Sequence, residues 1–169
     1  MKARSRSGSP GGALPIGEGQ TISQPWIVAR MTAALELAGE ERVLEVGTGS
    51  GYAAAVLSRC CSHVVTVERR PGLSERAAAV LADLGYRNVE VRTGDGSLGV
   101  SDRSPFDGIL VTAAAERGPP PALAGQLAPG APLVCPVDRG MGERLIRMRD
   151  GETEDIASVS FVALVEGGG

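Results

Sequence analysis

The chain has 169 residues, 43% of them hydrophobic and 22% charged, which suits one globular domain and excludes wholesale disorder. Seventeen Lys and Arg against 20 Asp and Glu leave a net charge of −3, and only 3% of residues are aromatic, so neither a basic surface nor a base-stacking platform for nucleic acid is offered. No apolar run approaches the ~20 residues of a membrane span, and residues 1–8 carry charge without the apolar stretch of a secretory signal, so a cytoplasmic protein is expected.

Residues 1–12 are rich in Arg, Ser, Gly and Pro without a hydrophobic period and predict a flexible tail, with a single ordered domain over 13–169. Apolar residues at Ile27, Val28, Met31, Leu35 and Leu37 then predict an amphipathic helix, with Ser23 as N-cap, Pro25 in its first turn and Gly39 as its stop. A strand–helix rhythm follows. Strands are predicted at 42–46, 63–68, 89–92, 106–111 and 132–137, with helices at 52–58, 73–84 and 122–127 between them. Such alternation predicts an α/β fold of the Rossmann-like, doubly wound kind, with a mostly parallel sheet. Residues 143–149 alternate polar and apolar, Asp150-Gly151 is a turn signal, and 156–165 is again strand-like, which predicts a C-terminal antiparallel hairpin. The cysteines Cys60, Cys61 and Cys135 make neither a disulfide framework nor a zinc-binding spacing, so thiols in a reducing compartment are expected and no metal site is assigned.

The end of the first predicted strand runs into Gly47-Thr48-Gly49-Ser50-Gly51. A dinucleotide fingerprint would need glycine where Tyr52 stands, and a P-loop would need a lysine that the segment lacks. Glycines at every second position let a ligand approach the backbone closely. S-adenosylmethionine carries no phosphate, yet its amino-acid end, ribose and adenine suit the same crevice. Glu68, ending the second strand about twenty residues on, is placed to accept from the ribose hydroxyls. Asp95, between Gly94 and Gly96 after the third strand, is placed to take the adenine amino group. Each of these also has an ordinary structural role as a tight turn or a solvated strand end.

Leu14 to Pro25, with its Gly19-Gln20-Thr21-Ile22-Ser23 segment, is similar to the signature of protein-L-isoaspartate O-methyltransferases. So are Val43 to Tyr52, Gly94-Asp95-Gly96 and Phe106 to Ala115, and the resemblance covers about 14–166. It implies methyl transfer from S-adenosylmethionine to the α-carboxylate of L-isoaspartyl residues in damaged proteins or peptides; the ester then collapses unaided to a succinimide. It also implies Ser23 as the active-site residue, on a loop with Thr21 and Ile22 over the methyl donor. The cofactor contacts it implies are Glu45, Gly47, Thr48, Gly49, Ser50, Gly51, Glu68, Asp95 and Gly96. A related carboxylate methyltransferase with another acceptor, or a cofactor-binding relative without turnover, stays open on the residues alone. Members of that family commonly carry several tens of residues before the Gly-Gln-Thr-Ile-Ser segment, and a glutamine where Glu143 stands. Both departures predict that cofactor binding is better preserved than isoaspartyl activity. The lone histidine, His63, begins a strand and is read as structural.

Overall fold

A computed structural model describes residues 15–17, 19–21 and 23–167. The predicted tail over 1–12 and the position of Ile22 lie outside the described residues. Strands β1 (Pro15–Gly17) and β2 (Gln20–Thr21) form a small antiparallel pair ahead of helix α1 (Pro25–Ala34). Then follow β3 (Arg42–Val46), α2 (Tyr52–Leu57), β4 (His63–Glu68), α3 (Pro71–Asp83) and β5 (Val89–Thr93). The second half holds β6 (Gly108–Val111), β7 (Ala115–Glu116), α4 (Pro121–Ala124), β8 (Leu133–Asp138), β9 (Glu143–Arg149) and β10 (Glu152–Val159).

The main sheet has the order β10-β9-β8-β6-β3-β4-β5, with β7 beside β8. Strands β3, β4, β5, β6 and β8 run parallel, and β9 and β10 close the sheet antiparallel. This is the mixed α/β architecture expected from the strand–helix rhythm. From β3 the chain steps outward to β4 and β5, then returns to β6 on the other flank of β3. The direction of winding therefore switches between β3 and β6, beyond whose carboxyl ends such sheets leave a crevice.

Alternation along the strands splits the core into two layers. Leu44, Val46, Val65, Val67, Ile109 and Val111 point to one face, where Phe106 and Leu123 cover them. Val43, Val64 and Leu110 point to the other, beneath Ile27 and Met31 of α1, Leu57 of α2 and Leu81 of α3. Glu45 and Thr66 are register partners on that second face, a buried polar pair among hydrocarbon.

Three expectations need correction. The N-cap of α1 is Gln24, which has extended backbone and makes no side-chain cap, so Ser23 stands outside the helix. The helix also stops at Leu35, before Gly39, because Glu36 takes a left-handed turn (φ 55°) and its carboxylate pairs with Arg147 and Arg149 of β9. The last strand covers 152–159 in place of 156–165. Asp150 and Gly151 (φ 51° and 82°) make a tight two-residue turn that starts pairing at once, with Arg149 opposite Glu152. Residues 160–165 leave the hairpin and run beside the segment that follows β6, where Ala114 N–H donates to Val162 O (2.8 Å) and Leu164 N–H to Ala114 O (2.7 Å).

Candidate functional site

The crevice at the switch point is built on the loop between β3 and α2. Gly47, Gly49 and Gly51 all have left-handed backbone (φ 98°, 53° and 83°), which only glycine adopts without strain. A Cβ on Gly47 would run into the Thr112 hydroxyl, which itself donates to Gly47 O at 2.8 Å. The loop is thus drawn tight against the end of β6, and its backbone faces open space.

Glu68 ends β4 with its carboxylate turned to this loop. Its Oε2 accepts from Gly49 N–H (3.0 Å) and its Oε1 from Arg70 N–H (3.1 Å). A carboxylate oxygen has two lone pairs, so both oxygens keep acceptor capacity toward the crevice. Gly94 N–H donates to Glu68 O at 2.9 Å, which brings the Gly94-Asp95-Gly96 turn alongside. A Cβ on Gly96 would sit 2.5 Å from Val46 Cγ1, so the floor beside Glu68 closes only because no side chain is there. The expected glycine loop, Glu68 and the 94–96 turn therefore meet at one sheet edge.

Of the residues expected to hold the ligand, Gly47, Thr48, Gly49, Ser50, Glu68 and Gly96 line the crevice, and Ser23 borders it. Gly51 lies under the loop, packed near Leu81. Thr21 ends β2, two residues before Ser23.

Two acids take different places from those expected. Glu45 is fully buried beneath the loop and is not part of the crevice wall among the described residues. Its Oε2 accepts from the Thr66 hydroxyl at 2.6 Å, and Thr66 in turn meets the Thr48 hydroxyl at 2.6 Å. Burial pushes the Glu45 carboxyl up to about 8; the Thr66 hydrogen bond opposes this and the nearby Glu68 charge adds to it. Its other oxygen, Oε1, has no partner among the described residues. Glu45 thus reaches the loop through two threonine hydroxyls.

Asp95 likewise stands behind the wall. Its Oδ1 accepts from the Ser97 N–H (3.0 Å) and hydroxyl (2.7 Å), capping the short turn over 96–98. Its Oδ2 accepts from Gly167 N–H at 2.9 Å. Burial works against the charged form, yet the Ser97 and Gly167 donors and Arg69 hold the carboxyl below the usual carboxylate range.

The sequence reading missed the far wall. Val162, Ala163, Leu164 and Val165 line the crevice, held by Ala114 and by Arg69, whose guanidinium donates to Val165 O at 2.7 Å. Ile16 and Gln20 of the β1–β2 pair, Arg69, Arg70 and Thr112 also line it. The signal available is the apolar run 161–165, whose pattern alone reads as the end of a strand.

Ser23, Thr112 and Val162 also border a second crevice, lined further by Gln24, Trp26, Ile27 and residues 158–161. Among the described residues none bonds the Ser23 hydroxyl, which stands where the two crevices join. One pocket backed by a carboxylate and glycine amides, opening on another beside a free hydroxyl, suits the meeting of two ligands.

The family model for protein-L-isoaspartate(D-aspartate) O-methyltransferase matches residues 10–169. A protein-L-isoaspartate O-methyltransferase of Anaeromyxobacter dehalogenans is 56% identical over 158 residues, 89% of this chain and 75% of that one. Another, from a Roseiflexus species, is 54% identical over 159 residues, 92% of this chain and 72% of that one. A solved protein-L-isoaspartate O-methyltransferase superposes with a TM-score of 0.80 at 31% identity over 90% of this chain, which spans 50% of that structure's length. A Plasmodium falciparum structure holding S-adenosyl-L-homocysteine has the same fold, with a TM-score of 0.77 at 23% identity, over 92% of this chain and 80% of that one. The chain belongs to the protein-L-isoaspartate(D-aspartate) O-methyltransferase family.

Proposed function

We propose that this protein transfers a methyl group from S-adenosylmethionine to the α-carboxylate of L-isoaspartyl residues in damaged proteins or peptides. The observation that carries the proposal is the Ser23 hydroxyl at the junction of the two crevices, one of them backed by the glycine loop and Glu68. The first crevice fits the cofactor in chemistry. Gly47 and Gly96 let the crevice floor pack tight against Thr112 and Val46, where a Cβ would collide, and Glu68 presents spare acceptor capacity to ribose hydroxyls. S-adenosylmethionine, when bound, supplies a methyl group on a positively charged sulfur.

The acceptor carboxylate has an ordinary pKa of about 4, so it is ionised at neutral pH and this chain need supply no general base. Ser23 would donate one hydrogen bond to that carboxylate and so fix the attacking oxygen. Thr112, held by its bonds to Val46 O and Gly47 O, would wall the junction. The work asked of these residues is alignment and exclusion of water. In this reading the acceptors are isoaspartyl-containing proteins, and the enzyme works in a reducing cytoplasm, where Cys60 and the buried Cys61 and Cys135 stay as thiols. Among the described residues no helix is long and apolar enough to cross a membrane.

The test is transfer of labelled methyl to an isoaspartyl peptide, with the matching aspartyl peptide as control. Base-labile label on the isoaspartyl form alone is expected. Equal label on both forms would reassign the acceptor, and no label with retained cofactor binding would remove the activity.

A further inference from the structure

The second crevice has walls that no step above uses. It meets the first at Ser23, Thr112 and Val162, and away from that junction it is faced by Trp26, Val159 and Phe161. Trp26 stands in the first turn of α1 and is 56% exposed, while Ile27, Val28 and Met31 of the same helix are buried in the core. The indole N–H is already satisfied, donating to Gln24 Oε1 at 2.6 Å. What remains open is therefore purely apolar ring surface, fixed in orientation by that bond. Among the described residues, no charged side chain lines this crevice.

Resting on the methyl-transfer reading above, we propose that the second crevice selects isoaspartyl acceptors whose neighbouring residue carries an apolar or aromatic side chain, with Trp26 as the specificity-determining residue. A peptide that brings its carboxylate to Ser23 must leave through the second crevice, because the first is filled by the methyl donor. On the amino side consecutive Cα atoms lie about 3.8 Å apart, and on the carboxyl side the isoaspartyl linkage adds one methylene, so either neighbour is carried directly along these walls. A leucyl or phenylalanyl side chain there buries apolar surface against Trp26 and Phe161. A glutamyl or lysyl side chain would lose water and find no opposite charge among the described lining residues.

The experiment compares isoaspartyl peptides identical except for Leu, Phe, Glu or Lys on either flank of the isoaspartate. With the wild-type protein, kcat/KM is expected to be about tenfold higher for Leu or Phe on the selected flank than for Glu or Lys, most of it in KM. Trp26→Ala is expected to bring that ratio to within about twofold, and Trp26→Phe to restore most of it, with S-adenosylmethionine titration run on each variant as a check of the donor site. Equal kcat/KM across the wild-type series, or an unchanged ratio in Trp26→Ala, would overturn the inference and leave the methyl-transfer reading standing. Label on none of the peptides, with cofactor still bound, would overturn both. A concentration-dependent dimer in sedimentation velocity that Trp26→Ala abolishes would show that a second copy of the chain covers the indole, and would also overturn it.

Discussion

Ser23, just ahead of α1, and Glu45, within β3, both stand close to the glycine loop, and their environments give them opposite kinds of role. Ser23 borders both crevices, and among the described residues its hydroxyl has no bond to the protein. Ser23→Ala removes a donor without removing a brace, so kcat on isoaspartyl peptide is expected to fall roughly ten- to a hundredfold. The S-adenosylmethionine Kd should stay within about threefold, and a matching loss in Kd would show that Ser23 serves the donor and not the acceptor. Glu45 is all brace. Its carboxyl, pushed up to about 8 by burial, keeps its proton in the folded protein over a range where the unfolded chain, with the ordinary value of 4.5, has released it. The folded state therefore binds more protons between those two values. The stability this group contributes is complete below pH 4.5 and drains away as pH rises toward 8, at up to about 1.4 kcal/mol per pH unit. Glu45→Gln carries no ionisable proton and can still accept from Thr66. Urea unfolding at pH 5.5, 6.5 and 7.5 should show the variant gaining on the wild type at each step. A difference that is flat with pH would mean that Glu45 ionises in the fold as easily as in the unfolded chain.

At the scale of elements, the C-terminal segment shows how a carboxylate at the open end of a hairpin serves the site beside it. Glu143 begins β9 opposite Val159, and its Oε2 accepts from Phe161 N–H at 2.5 Å, at the point where the chain leaves β10. Its side chain lines neither crevice among the described residues and acts as a backbone brace. Glu143→Gln keeps an acceptor and should leave peptide KM within about twofold, whereas Glu143→Ala frees a half-buried N–H and should cost about 1 kcal/mol of stability. It should also raise peptide KM more than cofactor Kd, which parallel titrations would read. The same segment marks where sequence patterning stopped being informative. β3, β4 and β9 were legible to the residue, because buried parallel strands are runs of β-branched residues between breakers, and a half-buried hairpin strand alternates. β10 was not legible at its start. It is an edge strand whose Glu152, Thr153 and Glu154 are exposed, and the apolar run that imitates a strand comes later, where Val162 and Leu164 bond to Ala114 beyond the end of β6. The cofactor loop was legible because three alternating glycines have few other uses. The displacement of Glu45 and Asp95 from the wall was not, since the order of residues does not say that Thr66 and Gly167 reach those carboxylates first.

Across the whole molecule, the first crevice is assembled from stretches far apart in the chain: Ile16 and Gln20, residues 47–50, Glu68 to Arg70, Gly96, Thr112 and residues 162–165. They are joined by single bonds such as Gly49 to Glu68, Thr112 to Gly47 and Arg69 to Val165, and not by one continuous element. A ligand that touches all of them ties the two ends of the chain to its centre, so binding should be read as a global gain in stability. At a cofactor concentration 100 times Kd the linkage amounts to about 2.7 kcal/mol. For a domain of this size that corresponds to a rise in Tm of roughly 5–10 °C. Hydrogen exchange separates this from a local effect. With S-adenosylmethionine present, amides near 20, 47–53, 68–70, 96, 112–114 and 162–165 should all slow together. The β9–β10 turn at Asp150-Gly151, which contributes nothing to the crevice, should exchange as before. Protection confined to 47–53, with 162–165 unchanged, would mean that the C-terminal segment is not a wall of the occupied site, and the crevice would have to be redrawn around the glycine loop and Glu68 alone.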